Sequence, residues 1–307
     1  MNGLTLKQLR YFEALARHAH FGRAAEACAI SQPALSVQIK ELETLLNTVL
    51  FERSSRHVQL TQFGVEFAGR VRAILQSVDE LGEMARAAQG GLQGRLRIGV
   101  IPTIAPYLLP QLIGQLDRTF PDVDVQIRET VTPRLIQELA EGRIDTAIVA
   151  LPVAEPWMTE IALFQEPMVL VRHESHRGRP CPDIDELRLM RLLLLEEGHC
   201  FRDQALSFCN FPTAVPREGL DGSSLSTLVQ MVGAGIGVTL IPEMAIDVET
   251  RAAPVCIGRF ATPQPTRTVG MVWRKSNPLA PQFDLLSKQV LAAAKVRLDT
   301  FNAKFSS

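Results

Sequence analysis

The spacing of apolar residues changes character near residue 90 of this 307-residue chain. Before that point apolar residues recur every three or four positions, which predicts one helix after another. After the run Gly90-Gly91-Leu92-Gln93-Gly94 the chain alternates short apolar and β-branched runs with helical stretches. We therefore predict an all-α front, a domain boundary at the glycine cluster and an α/β remainder.

Short apolar runs after residue 90 are predicted strands. They cover Leu96–Ile101, Val123–Ile127, Ile144–Ala150, Met168–Arg172, Leu192–Leu195, Gly237–Ile241, Val255–Ile257 and Val269–Trp273. Helical stretches separate many of them, as in βαβ units, so we expect a mostly parallel sheet. The glycine-rich run 233–237 ends a helix and opens a strand, the reverse of a phosphate-binding loop, and we interpret it as a helix stop.

Residues 20–46 predict two short helices joined by a tight turn. Ser31 suits the N-cap of the second helix, and Pro33 suits its first turn. An apolar face is expected to point inward and consists of Leu35, Ile39, Leu42 and Leu46. The outer face carries residues suited to base edges and phosphates, namely Ser31, Gln32, Pro33, Ser36, Val37 and Lys40. Such a helix pair also occurs in domains that bind no DNA, so that alternative stays open.

A basic polar stretch follows before Val58–Leu60, and it suits the wing of a winged helix. Arg53 and Arg56 are its candidates for contacts with backbone phosphates. The whole chain has 32 Lys and Arg against 33 Asp and Glu, so it is not basic overall. Residues 1–60 carry seven basic and five acidic residues, which adds modest local support for binding double-stranded DNA.

From Thr61 to Gln89 the apolar residues are spaced alternately by four and three positions. A 3.5-residue repeat is typical of a seam with a partner helix, and 29 residues at about 1.5 Å each reach roughly 44 Å. We predict a homodimer whose seam contains Phe67, Val71, Ile74, Val78 and Leu81. The alternative is that this stripe packs on the chain's own α/β domain.

The front of the chain contains a dense set of motifs. They are Leu9-Arg10-Tyr11-Phe12, Phe21-Gly22-Arg23-Ala24-Ala25, Ser31-Gln32-Pro33-Ala34-Leu35-Ser36, Leu50-Phe51-Glu52-Arg53, Leu60-Thr61 and Gly64. Together they resemble the winged helix-turn-helix of LysR-type transcriptional regulators, and the rest of the chain agrees with that family over essentially its whole length.

This resemblance implies an α + α/β fold with three parts. A winged helix-turn-helix domain is expected at 1–60, a linker and dimerisation helix at 61–91, and at 92–307 an effector domain similar to type 2 periplasmic binding proteins. Two α/β subdomains are expected in the last part, one at about 93–165 plus 268–307 and the other at about 166–267. The partners it implies are an operator with paired half-sites, further copies of the chain as a homodimer and a homotetramer on DNA, and RNA polymerase.

Cysteine usage and the absence of targeting signals bear on the compartment. The five cysteines are odd in number and irregularly spaced, which indicates reduced intracellular thiols rather than a secreted disulfide framework. The chain has neither a run of about 18 apolar residues nor a signal-peptide pattern at its start. We expect a cytoplasmic protein without membrane contact.

Two of the cysteines lie in a segment with a more specific resemblance. The run Glu196-Glu197-Gly198-His199-Cys200-Phe201-Arg202-Asp203-Gln204-Ala205-Leu206-Ser207-Phe208-Cys209 closely resembles the sensing segment of the hydrogen peroxide sensors among LysR-type regulators. Residues 99–103 resemble the place where those sensors carry a threonine facing the reactive cysteine. The resemblance implies that peroxide is the signal, that Cys200 attacks it, that Cys209 then closes a reversible disulfide, and that Thr103 holds the peroxide.

Neighbouring residues are expected to assist this chemistry. The start of the helix and either Arg202 or His199 would favour the Cys200 thiolate, and His199 or Asp203 would relay a proton. If Phe201–Phe208 is helical, the two cysteines lie about 13 Å apart along the axis, whereas a disulfide needs Cα atoms within about 7 Å. Oxidation must then unwind the segment, as a two-state redox switch requires.

Three alternatives remain. A LysR-type regulator of the ordinary kind would bind a small-molecule inducer in the cleft between its subdomains, with Thr103, Ser223 and Ser224 as contacts. A thiol peroxidase would use the same cysteines, but residues 1–90 would then be superfluous. A metal site would use His199, Cys200 and Cys209, with His173 and His176 upstream, but no C-x-x-C pair accompanies them, and we expect no metal or cofactor.

Overall fold

A computed structural model gives the fold and describes residues 3–53, 58–87, 90–209, 221–262 and 264–305. The chain divides into two compact units, Met1–Ala85 and Arg86–Ser307. Each unit has a hydrophobic interior of its own.

The first unit is helical with a small β-hairpin. Its elements are α1 (Leu6–His18), α2 (Phe21–Ala27), α3 (Gln32–Leu46), β1 (Phe51–Arg53), β2 (Val58–Leu60) and most of α4 (Gln62–Ala87). Strands β1 and β2 pair antiparallel, with Phe51 opposite Leu60. Three helices followed by a hairpin make up the predicted winged helix-turn-helix.

Side-chain caps determine where α1 and α3 begin. The Gln8 N–H donates to the Thr5 hydroxyl at 3.2 Å, and the Thr5 N–H donates to the Gln8 side chain at 3.1 Å, which forms a capping box. The Ser31 hydroxyl accepts from the Ala34 N–H at 3.3 Å, and Pro33 occupies the first turn of α3. The predicted start of α3 is therefore confirmed.

The interior of the first unit contains the apolar face predicted for α3. Leu35, Ile39 and Leu42 are fully buried there. The Phe12 ring lies among them, with its centroid 5.0 Å from that of Phe67 on α4. Burying each large apolar side chain contributes roughly 1.5–3 kcal/mol, so this face holds α3 in place.

The apolar stripe of α4 has two parts, which corrects the predicted seam. Val71 is buried in its own unit and has no surface left for a partner helix, and Phe67 packs into the same interior. Ile74 is 45% exposed and Leu81 is 64% exposed, while Val78 is half-buried. A heptad pattern does not show which element a helix packs against. Here the first turns of α4 pack against the winged helix-turn-helix of the same chain. Of the five predicted positions, the later three keep exposed surface for a partner.

The second unit alternates strands and helices. Its strands are β3 (Gly94–Val100), β4 (Val123–Glu129), β5 (Thr146–Leu151), β6 (Met158–His173), β7 (Leu194–Leu195), β8 (Asp221–Gly222), β9 (Thr239–Pro242), β10 (Val255–Gly258) and β11 (Thr266–Arg274). Its helices are α5 (Ala105–Thr119), α6 (Thr132–Ala140), α7 (Ile184–Leu189), α8 (Cys200–Phe208), α9 (Leu225–Gly233), α10 (Ile246–Glu249) and α11 (Ala280–Phe305), with 3-10 turns at Glu174–His176 and Glu243–Ala245. Every predicted strand region contains a strand, and Gly233 ends α9 as expected.

The main sheet is largely antiparallel, so the prediction of a mostly parallel sheet is wrong. Its strand order is β10-β6-β11-β5-β3-β4, and β9 also pairs with β6. Strand β3 runs parallel to β4 and β5, whereas β6 and β11 run antiparallel to their neighbours. Alternation of strands and helices along a chain does not determine strand order, and here the last strand inserts between β5 and β6.

Strands β6 and β11 connect two subdomains, each with its own core. One core gathers side chains of β3, β5, α5 and α11, and the other gathers those of α8, α9, β9 and the second half of β6. Pro167 on β6 lies opposite Thr266 on β11, so the two crossings run side by side. The predicted run Met168–Arg172 covers only the second half of β6, and the first half, which includes the apolar run Ile161–Phe164, was not predicted.

Candidate functional site

Helix α8 holds the two cysteines of the predicted switch at its opposite ends. Cys200 is its first residue, and Cys209 caps its C-terminal end and donates its N–H to the Ala205 carbonyl. Nine residues of α-helix rise about 13 Å, whereas a disulfide needs Cα atoms within about 7 Å. The helix predicted over Phe201–Phe208 is confirmed, and within it the two thiols cannot bond.

The two thiols pack in different subdomains. Cys200 is half-buried and packs against the core of the first subdomain. Cys209 is fully buried in the core of the second. Helix α8 therefore links the two cores, and any unwinding of this helix disturbs the packing of both.

Cys200 lines a narrow pocket formed by the end of β3 and the starts of two helices, and in this conformation the pocket has no room for a water molecule. The other lining residues are Ile101, Pro102, Thr103, Val131, Thr132, His199 and Phe201. The structure thus places three predicted site residues, Thr103, His199 and Cys200, around one pocket. Among the described residues, Arg202 and Asp203 do not line it.

Two helix N-termini meet at this pocket. Helix α8 begins after His199 and helix α6 after Val131, and neither of these two side chains caps its helix with a hydrogen bond. In these first turns Arg202 and Arg134 donate their N–H groups to the His199 and Val131 carbonyls, and Pro133 has no N–H. The N–H groups of Cys200, Phe201 and Thr132 belong to the helix starts and carry partial positive charge. An anion at such an end gains about 0.3–1 kcal/mol.

Thr132 is a pocket residue that the sequence did not indicate. Its hydroxyl oxygen is buried without a hydrogen-bond partner. An unsatisfied buried hydroxyl costs about 1–3 kcal/mol, which a polar molecule in the pocket would recover. The sequence could have indicated Thr132 as the start of α6. Nothing in the sequence indicated that the start of α6 lies beside Cys200.

His199 lies beside Cys200 and is buried. This burial lowers the pKa of the imidazole below its usual value of 6.5, and the Glu196 carboxylate opposes part of the shift. The ring is therefore neutral at pH 7 and able to accept a proton. It does not supply the positive charge that the sequence suggested for this position.

Arg202 has other partners than the thiol. It donates to the Leu195 carbonyl at 2.8 Å and forms an ion pair of 2.9 Å with Asp221. These contacts tie the first turn of α8 to the short strands β7 and β8. Asp203 is exposed on α8.

A buried ion pair supports the pocket and was missed by the sequence analysis. Arg267 on β11 and Glu166 on β6 are both fully buried, with Nη2 and Oε2 2.7 Å apart. Arg267 also donates to the Thr103 hydroxyl at 2.8 Å and to the Thr103 carbonyl at 2.9 Å, and its guanidinium lies 5.4 Å from the Phe201 ring centroid. Because the Thr103 oxygen accepts this bond, its hydroxyl hydrogen is available to the pocket. The sequence signal for this pair was a charged residue of opposite sign in each of the two crossing strands, Glu166 in β6 and Arg267 in β11.

A cleft of about 320 Å³ adjoins the pocket and shares Thr103 and His199 with it. On its wall the Tyr107 hydroxyl donates to Glu249 at 2.7 Å, and the Ser226 hydroxyl donates to the same carboxylate at 2.6 Å. Burial raises the pKa of Tyr107, and the hydrogen bond to Glu249 and that residue's charge add to the shift. These contacts join α5 of one subdomain to α9 and α10 of the other.

Two serines predicted as ligand contacts also line this cleft. Ser223 lies just before α9, and Ser224 caps α9 by accepting from the Thr227 N–H at 3.2 Å. The Ser224 hydroxyl is therefore already engaged in its own helix. Ser223 is exposed and remains the better candidate for a ligand contact.

The predicted DNA-reading face lies on the outside of α3. Gln32, Pro33 and Lys40 are exposed and Ser36 is half-buried. Arg53 ends strand β1, and Arg56 lies outside the described residues. The helix thus presents amide, hydroxyl and ammonium groups together near its N-terminus.

The remaining cysteines lie apart from the pocket. Burial raises the pKa of Cys28 and of Cys181, and the Glu13 carboxylate adds to the shift of the former. Within the part of the chain that the structure describes, no three His, Cys, Asp or Glu side chains are placed to hold a metal ion. No described helix is long and apolar enough to cross a membrane.

Two family models match the chain. The bacterial regulatory helix-turn-helix protein of the lysR family matches residues 6–65, and the LysR substrate binding domain matches residues 89–295. The chain belongs to the LysR family. The predicted fold class is confirmed, with a winged helix-turn-helix, a long helix and a two-subdomain α/β domain.

Similarity to known LysR-family regulators extends over nearly the whole chain. It is 40% identical over 291 residues to the DNA-binding transcriptional dual regulator OxyR of Escherichia coli (strain K12), covering 94% of this chain and 95% of the relative. It resembles full-length OxyR from Pseudomonas aeruginosa with a cysteine-to-aspartate change, at TM-score 0.75 and 38% identity over 94% of this chain and 95% of that one. It also resembles a hydrogen-peroxide-bound cysteine-to-serine variant of Corynebacterium glutamicum OxyR, at TM-score 0.69 and 34% identity over 98% and 95%.

Proposed function

We propose that this LysR-family protein is a DNA-binding transcription regulator that senses hydrogen peroxide through a reversible disulfide between Cys200 and Cys209, and that it controls genes of oxidative-stress defence. The observation that carries the proposal is the placement of these cysteines at opposite ends of α8, one beside Thr103 and His199 in a narrow pocket and one in another core. The similarity to the hydrogen-peroxide-bound variant of Corynebacterium glutamicum OxyR over 98% of the chain supports peroxide as the signal.

The first step oxidises Cys200. Neutral His199 takes the thiol proton, and the two helix N-termini stabilise the thiolate. The sulfur attacks one peroxide oxygen, so that an S–O bond forms and the O–O bond breaks. The leaving hydroxide takes the proton from His199 and departs as water, which leaves a sulfenic acid on Cys200. The pocket widens to admit peroxide, and the Thr103 and Thr132 hydroxyls hold it during this step.

The second step closes the disulfide. Cys209 attacks the Cys200 sulfur, an S–S bond forms, and the sulfenic oxygen leaves as a second water. Two thiols have then lost two electrons, and one peroxide has become two waters. Because the helix keeps the sulfurs apart, α8 must unwind and Cys209 must leave its core before this bond forms. The covalent bond thereby selects a second conformation of the effector unit.

The first unit would carry this change to DNA. The outer face of α3, with Gln32, Ser36 and Lys40, enters the major groove, and Arg53 and Arg56 meet backbone phosphates. The exposed part of α4, with Ile74 and Leu81, pairs two copies into a homodimer. A homotetramer on paired half-sites and contact with RNA polymerase complete the proposed arrangement.

Mass spectrometry of alkylated protein tests the redox step. Full-length protein is alkylated before and after roughly stoichiometric hydrogen peroxide, with Cys200→Ser, Cys209→Ser and the control Cys256→Ser. The proposal predicts a dithiothreitol-reversible link between the Cys200 and Cys209 peptides in the wild type and the control, and a trapped sulfenic acid in Cys209→Ser. Two thiols that both stay alkylatable in the wild type would refute it.

A second candidate function is a response to a small-molecule inducer, which the cleft of about 320 Å³ favours. Its contacts would include Thr103, Ser223 and Ser224. Operator binding by Cys209→Ser distinguishes the two functions, since a ligand-driven regulator would still respond without the second thiol. A peroxidase role would instead require sustained turnover with an external reductant.

A further inference from the structure

We propose that Arg188 is a latch on the C-terminal end of α8 that sets how readily the Cys200–Cys209 disulfide forms. The Arg188 Nε donates to the Cys209 carbonyl oxygen at 3.1 Å. Its Nη1 forms an ion pair of 3.0 Å with Asp185 one turn earlier in α7. This inference rests on the proposed function, because it concerns the same disulfide.

The physical basis is the partial negative charge at the C-terminal end of a short helix. The last carbonyls of an α-helix have no partner within it, and a cation near them is favourable. With nine residues, α8 is too short to be stable by itself. Arg188 supplies a charged donor from a different helix, and α7 is anchored by Leu187, which is fully buried in the core of the second subdomain.

The contact between Arg188 and the Cys209 carbonyl stabilises the reduced state. The disulfide requires the backbone of Cys209 to move towards Cys200, which breaks the contact with Arg188. Arg202 ties the first turn of α8 to Leu195 and Asp221 independently. Loss of Arg188 therefore releases the C-terminal end of the helix and leaves the tie at its N-terminal end in place.

Removing the latch affects the second redox step rather than the first. The Arg188 side chain lines neither the thiol pocket nor the cleft as the described residues define them. The first reaction of Cys200 with peroxide should keep its rate in an Arg188→Ala protein. The reduced state loses a stabilising contact, so the equilibrium shifts towards the disulfide and resolution by Cys209 becomes faster. Arg188 is in this sense a positioning residue.

The reduction potential tests this role in the full-length protein. Wild type, Arg188→Ala, Arg188→Lys and the control Arg191→Ala, which removes an exposed cation three positions later, are equilibrated in dithiothreitol buffers. Arg188→Ala should favour the disulfide by roughly threefold to tenfold, and a tenfold change corresponds to about 30 mV more negative. Arg188→Lys should recover part of the shift, and Arg191→Ala should show none.

A second measurement does not depend on the disulfide. In a Cys200→Ser background, the alkylation rate of buried Cys209 reports opening of the C-terminal end of α8. Arg188→Ala should raise that rate by roughly threefold to tenfold, and Arg191→Ala should leave it unchanged. Unchanged alkylation and potential in Arg188→Ala would overturn the latch. A wild type that forms no disulfide would refute the proposed function, and the alkylation rates would still decide the latch.

Discussion

Replacing Arg267 with Met tests the buried support of the thiol pocket. The guanidinium donates to Glu166 at 2.8 Å through Nε and to the Thr103 hydroxyl at 2.8 Å through Nη1, and both charged side chains are 0% exposed. Met fills much of the same volume, so the loss is mainly electrostatic. Removing one partner of a buried pair leaves the other charge uncompensated and costs about 3–5 kcal/mol. We expect a loss of unfolding free energy of that size.

Tryptophan fluorescence in urea measures this loss in the full-length protein. Trp157 and Trp273 are the two tryptophans of the chain, and both lie in the second unit, so their signal follows that unit alone. With a urea slope of about 3 kcal/mol per molar, the midpoint should fall by about 1 M or more.

The matched control is the double variant Glu166→Gln/Arg267→Met. It also removes the carboxylate charge left behind, and it should recover about half of the lost free energy or more. A single Arg267→Met variant within about 1 kcal/mol of wild type would refute this reasoning, as would a double variant no more stable than the single one.

Three further predictions concern other parts of the chain. Gly64→Ala should destabilise the first unit, because an added Cβ would lie 2.3 Å from the Leu50 carbonyl oxygen. In the same helix, the Cβ added by Gly69→Ala would have no neighbour within 4 Å, so this variant should stabilise the first unit by up to about 1 kcal/mol. Thermal melts by circular dichroism compare the two, and equal effects would contradict the packing. The pKa of His199 is below 6.5 in the folded state, so its contribution to stability is present above pH 6.5 and is lost as the pH falls towards the folded value. Urea unfolding of wild type and His199→Asn between about pH 5 and 8 should show a flatter profile in the variant, and parallel profiles would count against a neutral buried ring. Leu81→Glu places a charge on a side chain that is 64% exposed and should weaken the proposed homodimer at least about tenfold in sedimentation experiments, while an unchanged dissociation constant would exclude this stripe as the seam.

The winged helix could be predicted closely because its signals are local. A capping serine, a proline in the first turn and an inward face at helical spacing all lie within α3, and the structure places Ser31, Pro33 and Leu35 accordingly. The helix between the two cysteines was predictable for the same reason. Local propensity does not identify which neighbouring helix an apolar face will contact. Val71 continues the heptad pattern of α4, yet it packs into the core of its own unit.

The pocket could be predicted only in part because it is assembled from distant segments. Thr103, Thr132 and His199 meet through sheet order and helix placement, and Arg267 reaches Thr103 across 164 positions of sequence. No periodic pattern carries such information. The antiparallel insertion of β11 between β5 and β6 produces this approach, and it is the feature of the sheet that the sequence analysis did not foresee.

Hydrogen exchange of the segment 200–209 follows the proposed unwinding of α8. Amides over Cys200–Phe208 should be protected in the reduced protein, should lose that protection after roughly stoichiometric hydrogen peroxide, and should regain it with dithiothreitol. This result is expected if peroxide oxidises Cys200 and closure of the disulfide with Cys209 unwinds the helix. A linked Cys200–Cys209 peptide in a segment that keeps its protection, or protection that does not change with peroxide, would rule out this redox switch.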